Sequence, residues 1–329
     1  MKWLISILVV IVIVALVVWV VYSDSRARAL SESQRALETR AQSVAQALDH
    51  TLEMRMVEVF TLAALPSIRG FAASDEIARP ARTAVALSEL QSIVAADPDI
   101  RAASITDVDG TVILTTDNTM NAGRQQRVFI REALAGHLHA SVPAREFGEI
   151  SQYYSAPILN NARAVAGVLF IRVAVQEMWD LLAVQGNVLI VDSDGVRIAD
   201  HSSAPQTFVA LVPLPPQTTA QILGESRYGV ETTQIRATNL TELASAVKRD
   251  KPTSVTYHDV QGKVTYGVIR SLDTNPWKVI AFESEDTVFG AASGTLWDEI
   301  KVAAAAIVIT LGVVYAVQWV DSAGQEQSS

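Results

Sequence analysis

The chain has 329 residues, a net charge of −9, no cysteine and 50% hydrophobic residues, with a mean hydropathy of +0.25. The absence of cysteine excludes disulfides, thiolate metal sites and cysteine nucleophiles, and the acidic balance argues against nucleic acid as a partner. So apolar a composition is unusual for an ordinary soluble protein and directs attention first to membrane segments.

Residues 4–22 contain no charged side chain. At about 1.5 Å per residue such a run covers roughly the 30 Å of a bilayer core. Trp3, Trp19 and Tyr22 put aromatics near both ends, as at a membrane interface. The run exceeds the core of a signal peptide, and no clean small-x-small site precedes Arg26, so it reads as an uncleaved anchor. A second apolar run, residues 302–320, follows Trp297; it is richer in alanine and carries Gln318. Only Lys2 precedes the first run and residues 321–329 contain no Lys or Arg, so flanking charge does not set the orientation. The length of the segment between the two runs predicts that it is the translocated part.

Residues 23–65 lack Gly and Pro, and Leu30, Leu37, Ala41, Val44, Leu48, Leu52, Met56 and Val59 follow three-four spacing. This predicts one long amphipathic helix, packed on its own domain or pairing two protomers. Residues 66–98 read as a helical connection. Residues 102–108 and 111–116 are β-rich runs joined at Asp109-Gly110, a hairpin signal. Residues 126–135 predict a short helix ended by Gly136. Residues 151–159 and 164–175 predict strands around Asn160-Asn161, and residues 253–259, 263–271 and 277–283 a later strand set. The Pro-rich stretch 212–216 reads as a loop.

One pattern occurs twice. Ile105-Thr106-Asp107-Val108-Asp109-Gly110 is echoed by Ile190-Val191-Asp192-Ser193-Asp194-Gly195, an apolar strand entering an Asp-x-Asp-Gly turn. The echo predicts two small α+β modules in tandem rather than one large sheet. Neither copy has the third oxygen ligand before its Gly or the closing Glu of an EF-hand, so the turns read as hairpins, not calcium loops. His137 and His139 lack an evident third metal ligand. Ser245-Ala246-Val247-Lys248 matches a Ser-x-x-Lys motif without its companion motifs. Neither common type of phosphate-binding Gly loop is present. No catalytic residues, metal or cofactor are predicted.

The order of these features resembles the double Cache sensor domains of bacterial chemoreceptors, histidine kinases and cyclases. Arg127-Val128-Phe129-Ile130-Arg131-Glu132-Ala133-Leu134-Ala135-Gly136 is similar to that family's "R-x-aromatic-x-x-A-L-x-G" helix. Tyr153-Tyr154-Ser155-Ala156-Pro157-Ile158 and Gly167-Val168-Leu169-Phe170 resemble its two long strands, and Asn275-Pro276-Trp277-Lys278-Val279 its second-module Trp strand. The resemblance implies an α+β fold: a long N-terminal helix with two tandem PAS-like Cache modules, flanked by two transmembrane helices. It divides the chain into a transmembrane helix (1–23), a stalk and dimerisation helix (24–65), a membrane-distal module (66–184), a membrane-proximal module (185–296), a second transmembrane helix (297–320) and a short cytoplasmic tail (321–329). It implies a two-pass protein of the bacterial cytoplasmic membrane with a periplasmic ectodomain and no enzyme activity. It also implies a ligand in the membrane-distal module. Amino-acid sensors of the family carry Arg-x-Trp-Tyr on the helix and acidic residues on the strands. Here Val128, Phe129 and Ile130 follow Arg127, and Arg172 stands where those sensors often carry Asp. The pattern is nearer to the C4-dicarboxylate sensor kinases.

Arg172 interrupts an otherwise apolar strand, so it must be paired or bind an anion. A salt bridge to an internal carboxylate and a ligand contact both satisfy that condition, and simple exposure at a sheet edge is the third reading. Arg127 offers a bidentate fork for a carboxylate, or is a solvated helix residue. Tyr153 and Tyr154 are adjacent and face opposite sides of the strand, so one of them reaches a given pocket. Thr116 and Ser155 offer hydroxyls. The predicted ligand-binding set is Arg127, Phe129, Arg172, Tyr153, Tyr154, Ser155 and Thr116, with a small organic acid as ligand. The second module's comparable strand offers only Lys278, beside a turn. A homodimer through the N-terminal helix is expected, and the protein would signal through a separate membrane partner or an output domain beyond this chain, or capture ligand without signalling. The alternative is a periplasmic interaction protein with no metabolite ligand.

Overall fold

The computed structural model describes residues 2–117, 127–201, 206–249 and 251–290 and positions 301 and 312, without the side chains of 2–11, 13, 14, 177 and 181. Among the described residues no helix is long and apolar enough to cross a membrane. The side chains of the predicted first span lie largely outside the description, and residues 302–320 lie outside it apart from position 312. The chain forms two compact units, Met1–Ala36 with Glu283–Ser329, and Leu37–Phe282.

Helix α1 (Lys2–Ala63) runs through the first unit into the second. Within the first unit the Arg26 guanidinium donates to Glu285 at 2.7 Å and stacks 4.1 Å from the Phe289 ring centroid, and Ser33 Oγ donates to Glu283. Arg26 and Glu285 are both substantially solvent-exposed, so the ion pair contributes little.

In the second unit the predicted stripe of α1 is the core stripe. Leu37, Ala41, Val44, Leu48, Leu52 and Val59 are all at most 2% exposed. The helix ends at Ala63, and Pro66 opens α2 (Pro66–Ala72), where its missing N–H and fixed φ suit a first turn. Helix α3 (Arg79–Ala96) follows. The first sheet then forms from β1 (Ile100–Thr106), β2 (Val112–Thr115), β3 (His139–Ala140), β4 (Ala144–Glu146), β5 (Glu149–Leu159) and β6 (Val165–Ala174), with α4 (Val128–Leu134) between β2 and β3. Its order is β2-β1-β6-β5-β3, and β4 also pairs with β5. After α5 (Gln176–Gln185) come β7 (Val188–Val191), β8 (Arg197–His201), β9 (Val209–Ala210), α6 (Pro216–Gly224), β10 (Arg236–Ala237), α7 (Thr241–Val247), β11 (Thr253–His258), β12 (Val264–Ser271) and β13 (Lys278–Ser284). The second sheet has the order β11-β12-β13-β7-β8, and β9 and β10 form a separate parallel pair.

Strand alternation separates two cores in the first sheet. Leu169, Ile171 and Val173 of β6 join the large core that includes α1, while Phe170 joins a smaller cluster with Phe129, Ile130, Tyr153 and Ala102. The second sheet has its own cluster, in which Leu189, Val191 and Ile280 pack on Leu243 and Val247 of α7.

The sequence echo is turn chemistry, and among the described residues it occurs four times. Asp107, Asn160, Asp192 and Asp259 each accept two backbone N–H groups through Oδ1, from the residues two and four positions on, at 2.8–3.0 Å. The residue three positions on is left-handed in every case: Gly110, Arg163, Gly195 and Gly262. These Asx turns close the β1–β2, β5–β6, β7–β8 and β11–β12 hairpins, two per sheet. Arg163 holds φ at +60° without being a glycine. It is exposed, so Arg163→Gly should remove strain of about 1 kcal/mol, partly offset by the entropy of glycine, and raise the melting temperature by about 1–3 °C. A melting temperature that falls would mean that the arginine side chain supports the turn.

Candidate functional site

Helix α4 lies over one face of the first sheet, and the small aromatic cluster fills that contact. Phe129 stacks on Tyr153 with centroids 4.6 Å apart and planes 3° from parallel, and sits tilted 5.3 Å from Phe170. Ser155 Oγ donates to the Phe129 carbonyl at 2.7 Å, tying the start of α4 to β5. Phe129, Tyr153 and Ser155 therefore come together. Tyr154 points to the other face, into the core shared with α1, and its hydroxyl donates to Gln152 at 3.0 Å. Thr116 extends the β1–β2 pairing: its Oγ1 accepts the Ala103 N–H at 3.1 Å, and its own N–H donates to the Ala103 carbonyl.

Arg172 lies on β6 between Ala102 of β1 and Tyr153 of β5. Its side chain is 8% exposed and Nη2 donates to Asp117 at 3.2 Å. The guanidinium carbon is 5.3 Å from the Phe147 ring centroid. Nε and Nη1 are buried without a hydrogen-bond partner among the described residues. Buried donors on a charged group are costly when unmet, so this end of the guanidinium is chemically prepared for an oxygen acceptor. Phe147 and Gly148 form the two-residue turn between β4 and β5, with φ of +57° and +75°. A bulky residue in that region carries strain, and here it holds an aromatic face beside Arg172.

Arg127 is committed elsewhere. It precedes α4 as its N-cap residue, and its side chain is 7% exposed. Nη2 pairs with Glu146, which is almost wholly buried, and Nη1 donates to the Ser226 carbonyl at 2.9 Å. The other Glu146 oxygen accepts the Tyr153 hydroxyl. Arg127, Glu146 and Tyr153 thus form one buried network behind the aromatic cluster. A pocket with one carboxylate forked by Arg127 and another by Arg172 is not what this geometry presents. Nothing in the sequence singled out Glu146 or Asp117; their role follows from which cations they meet.

The second sheet corrects one expectation. It does bury a strand cation: Arg197 on β8 is 5% exposed and donates to Asp200, Gln206 and Thr238. Lys278 Nζ donates to the Val247 and Arg249 carbonyls, capping the C-terminal end of α7. Asp192 accepts the Tyr228 hydroxyl on Oδ2, and burial pushes its carboxyl up in spite of that bond and the one from Val196. Burial likewise holds the His139 imidazole below its usual range. Ser245 Oγ donates to the Thr241 carbonyl at 2.8 Å, an ordinary back-bond within a helix. Among the described residues there is no cluster of three or more potential metal ligands.

No protein-family model matches the chain, and no curated protein does. Solved structures do. The sensor domain of the V. cholerae histidine kinase DctB superposes with a TM-score of 0.61 at 14% identity, covering 78% of this chain and 97% of that one. The sensory domain of the Campylobacter jejuni chemoreceptor Tlp3 (CcmL) gives 0.55 at 12% identity, covering 81% and 99%. The same domain with isoleucine bound gives 0.52 at 13% identity, covering 80% and 97%. The chain has the double Cache fold, a mixed α+β fold with a long N-terminal helix, and the structures that share it are sensor and ligand-binding domains rather than catalytic ones.

Proposed function

We propose that the chain is the sensing part of an extracytoplasmic receptor, and that its first module binds a small organic anion through Arg172. The observation that carries this reading is the pair of buried, unmet Arg172 donors beside an aromatic wall. Phe129 and Tyr153 supply that wall, Ser155 fixes Phe129, and Arg127 acts through Glu146 to position Tyr153. Tyr154 and Thr116 drop out of the proposed lining because their polar atoms are engaged elsewhere. Tlp3 domains with isoleucine and L-valine bound support a small metabolite as ligand class.

In this reading the apolar runs 4–22 and 302–320 anchor the protein in the bacterial cytoplasmic membrane, with the modules outside the cytoplasm and the first module membrane-distal. Met54, Val57 and Phe60 are 56%, 55% and 44% exposed on the outer face of α1, which supports a homodimer through that helix. The signal then passes to a separate membrane partner or an output domain. A second reading is an ectodomain that binds another protein. It is favoured by the closeness of the Phe129–Tyr153–Phe170 packing, which leaves little room on that face.

A thermal-shift series with small carboxylates tests the first reading. A ligand at a hundredfold excess over Kd stabilises the fold by about 2.7 kcal/mol. Hydrogen bonds to charged groups contribute about 1.5–3 kcal/mol each, so Arg172→Ala should weaken binding at least tenfold, while Lys278→Ala should not. If Arg172→Ala lowers the melting temperature sharply without ligand and leaves affinity intact, Arg172 is a structural partner of Asp117.

A further inference from the structure

The second module contains a cavity of about 440 Å3 that the anion site above does not use. Leu211, Val212, Ala244, Val247, Leu272 and Trp277 form its apolar wall. Its volume is that of a small-molecule pocket, and apolar walls with a few placed polar groups are what such pockets share. Two ammonium groups border it, Lys248 and Lys278, both at the C-terminal end of α7. Lys278 uses two of its three N–H donors on the Val247 and Arg249 carbonyls. Lys248 has no ion pair among the described residues. The acids on the rim are already engaged: Asp194 pairs with Arg227, and Asp192 accepts the Tyr228 hydroxyl and two backbone amides. The result is an apolar chamber with positive charge in excess at one side.

We propose that this cavity is a second ligand site, for a small amphipathic monocarboxylate whose carboxylate meets Lys248 and whose hydrocarbon body lies against Leu211, Leu272 and Trp277. A cation would face two ammonium groups. A dianion would have to bury its second charge against the apolar wall. A neutral chain would gain the wall and forgo Lys248. The occupant would press on the β12–β13 turn, because Pro276 and Trp277 also line the cavity. Side-chain hydrogen bonds tie that turn to β3 and to α1. Asn275 Nδ2 donates to the Ala140 carbonyl of β3 at 3.0 Å, and Asp49 of α1 accepts the Asp273 and Thr274 N–H groups and the Thr274 hydroxyl. A ligand here is therefore placed to act on both the first module and α1.

Calorimetric titration of the full chain in detergent with straight-chain carboxylates from butanoate to octanoate, and with the matching primary alcohols, tests the site. Affinity should rise about fourfold per added methylene until the cavity is full. The carboxylate should bind at least tenfold more tightly than the alcohol of equal length, and Lys248→Ala should abolish that preference. Ala244→Phe, which fills the chamber, should abolish binding of the alcohols and the chain-length-dependent binding of the carboxylates, with far-UV circular dichroism confirming the fold. Arg172→Ala should leave this binding unchanged. No saturable binding, no dependence on chain length, or a preference that survives Lys248→Ala would overturn the proposal. Binding lost in Arg172→Ala but kept in Lys248→Ala would also overturn it, by moving the carboxylate to the first module.

Discussion

Glu146→Ala is expected to lower the melting temperature by roughly 6–20 °C, from a loss of about 3–5 kcal/mol. The carboxylate is 1% exposed and serves two buried partners, the Arg127 guanidinium and the Tyr153 hydroxyl. Removing it takes the counter-charge from a nearly buried guanidinium and an acceptor from a buried phenol. The Phe129–Tyr153 stack rests on that phenol, so aromatic packing should loosen too. Arg127→Met combined with Glu146→Leu should recover much of the loss, because removing both charges also removes the cost of burying them. Chemical denaturation of the single and double variants measures the coupling. Equal stability of wild type and Glu146→Ala would mean that water reaches Arg127.

The second large effect is expected at Gly229. Its φ is +95°, and a Cβ there would overlap the backbone carbonyl of Arg145, which cannot move as a side-chain tip can. The same contact is a hydrogen-bonded join, since the Arg145 N–H donates to the Tyr228 carbonyl at 2.9 Å and the Gly148 N–H to Glu231 at 2.9 Å. Gly229→Ala should cost at least about 3 kcal/mol, through overlap as well as backbone strain. Gly136 provides the comparison. Its φ is also +95°, but nothing lies within 4 Å of an added Cβ, so Gly136→Ala should cost only the left-handed penalty of about 1–2 kcal/mol. Denaturant midpoints for the two variants separate conformational strain from steric overlap; equal losses would remove the overlap argument.

What could be read from the chain was local in every case. The α1 stripe is a three-four repeat within one helix, and six of its eight positions are buried in the core; Leu30 and Met56 are only partly buried. The Asp107 and Asp192 hairpins are marked in the sequence by Gly110 and Gly195. The Asp259 turn has the same geometry with Val260 and Gln261 between, and its side-chain bonds rather than a repeated Asp-x-Asp-Gly reveal the identity. Helices α5, α6 and α7 have ten, nine and seven residues, too short for a repeat to stand out.

The site divides along the same line. The sequence by itself determined that Arg172 stands among apolar strand residues, that Tyr153 and Tyr154 part to opposite faces, and that Phe129 rides on a helix ended by Gly136. Each follows from periods of two or 3.6 residues, or from the backbone needs of one turn. Only the tertiary structure decided which acid answers which arginine. Arg172 meets Asp117 from 55 positions away, Arg127 meets Glu146 and the Ser226 carbonyl from 19 and 99, and Lys278 caps a helix 31 positions earlier. A buried charge takes whichever partner the packed fold brings within about 3 Å, and with 35 acidic residues in the chain no spacing rule selects that partner in advance.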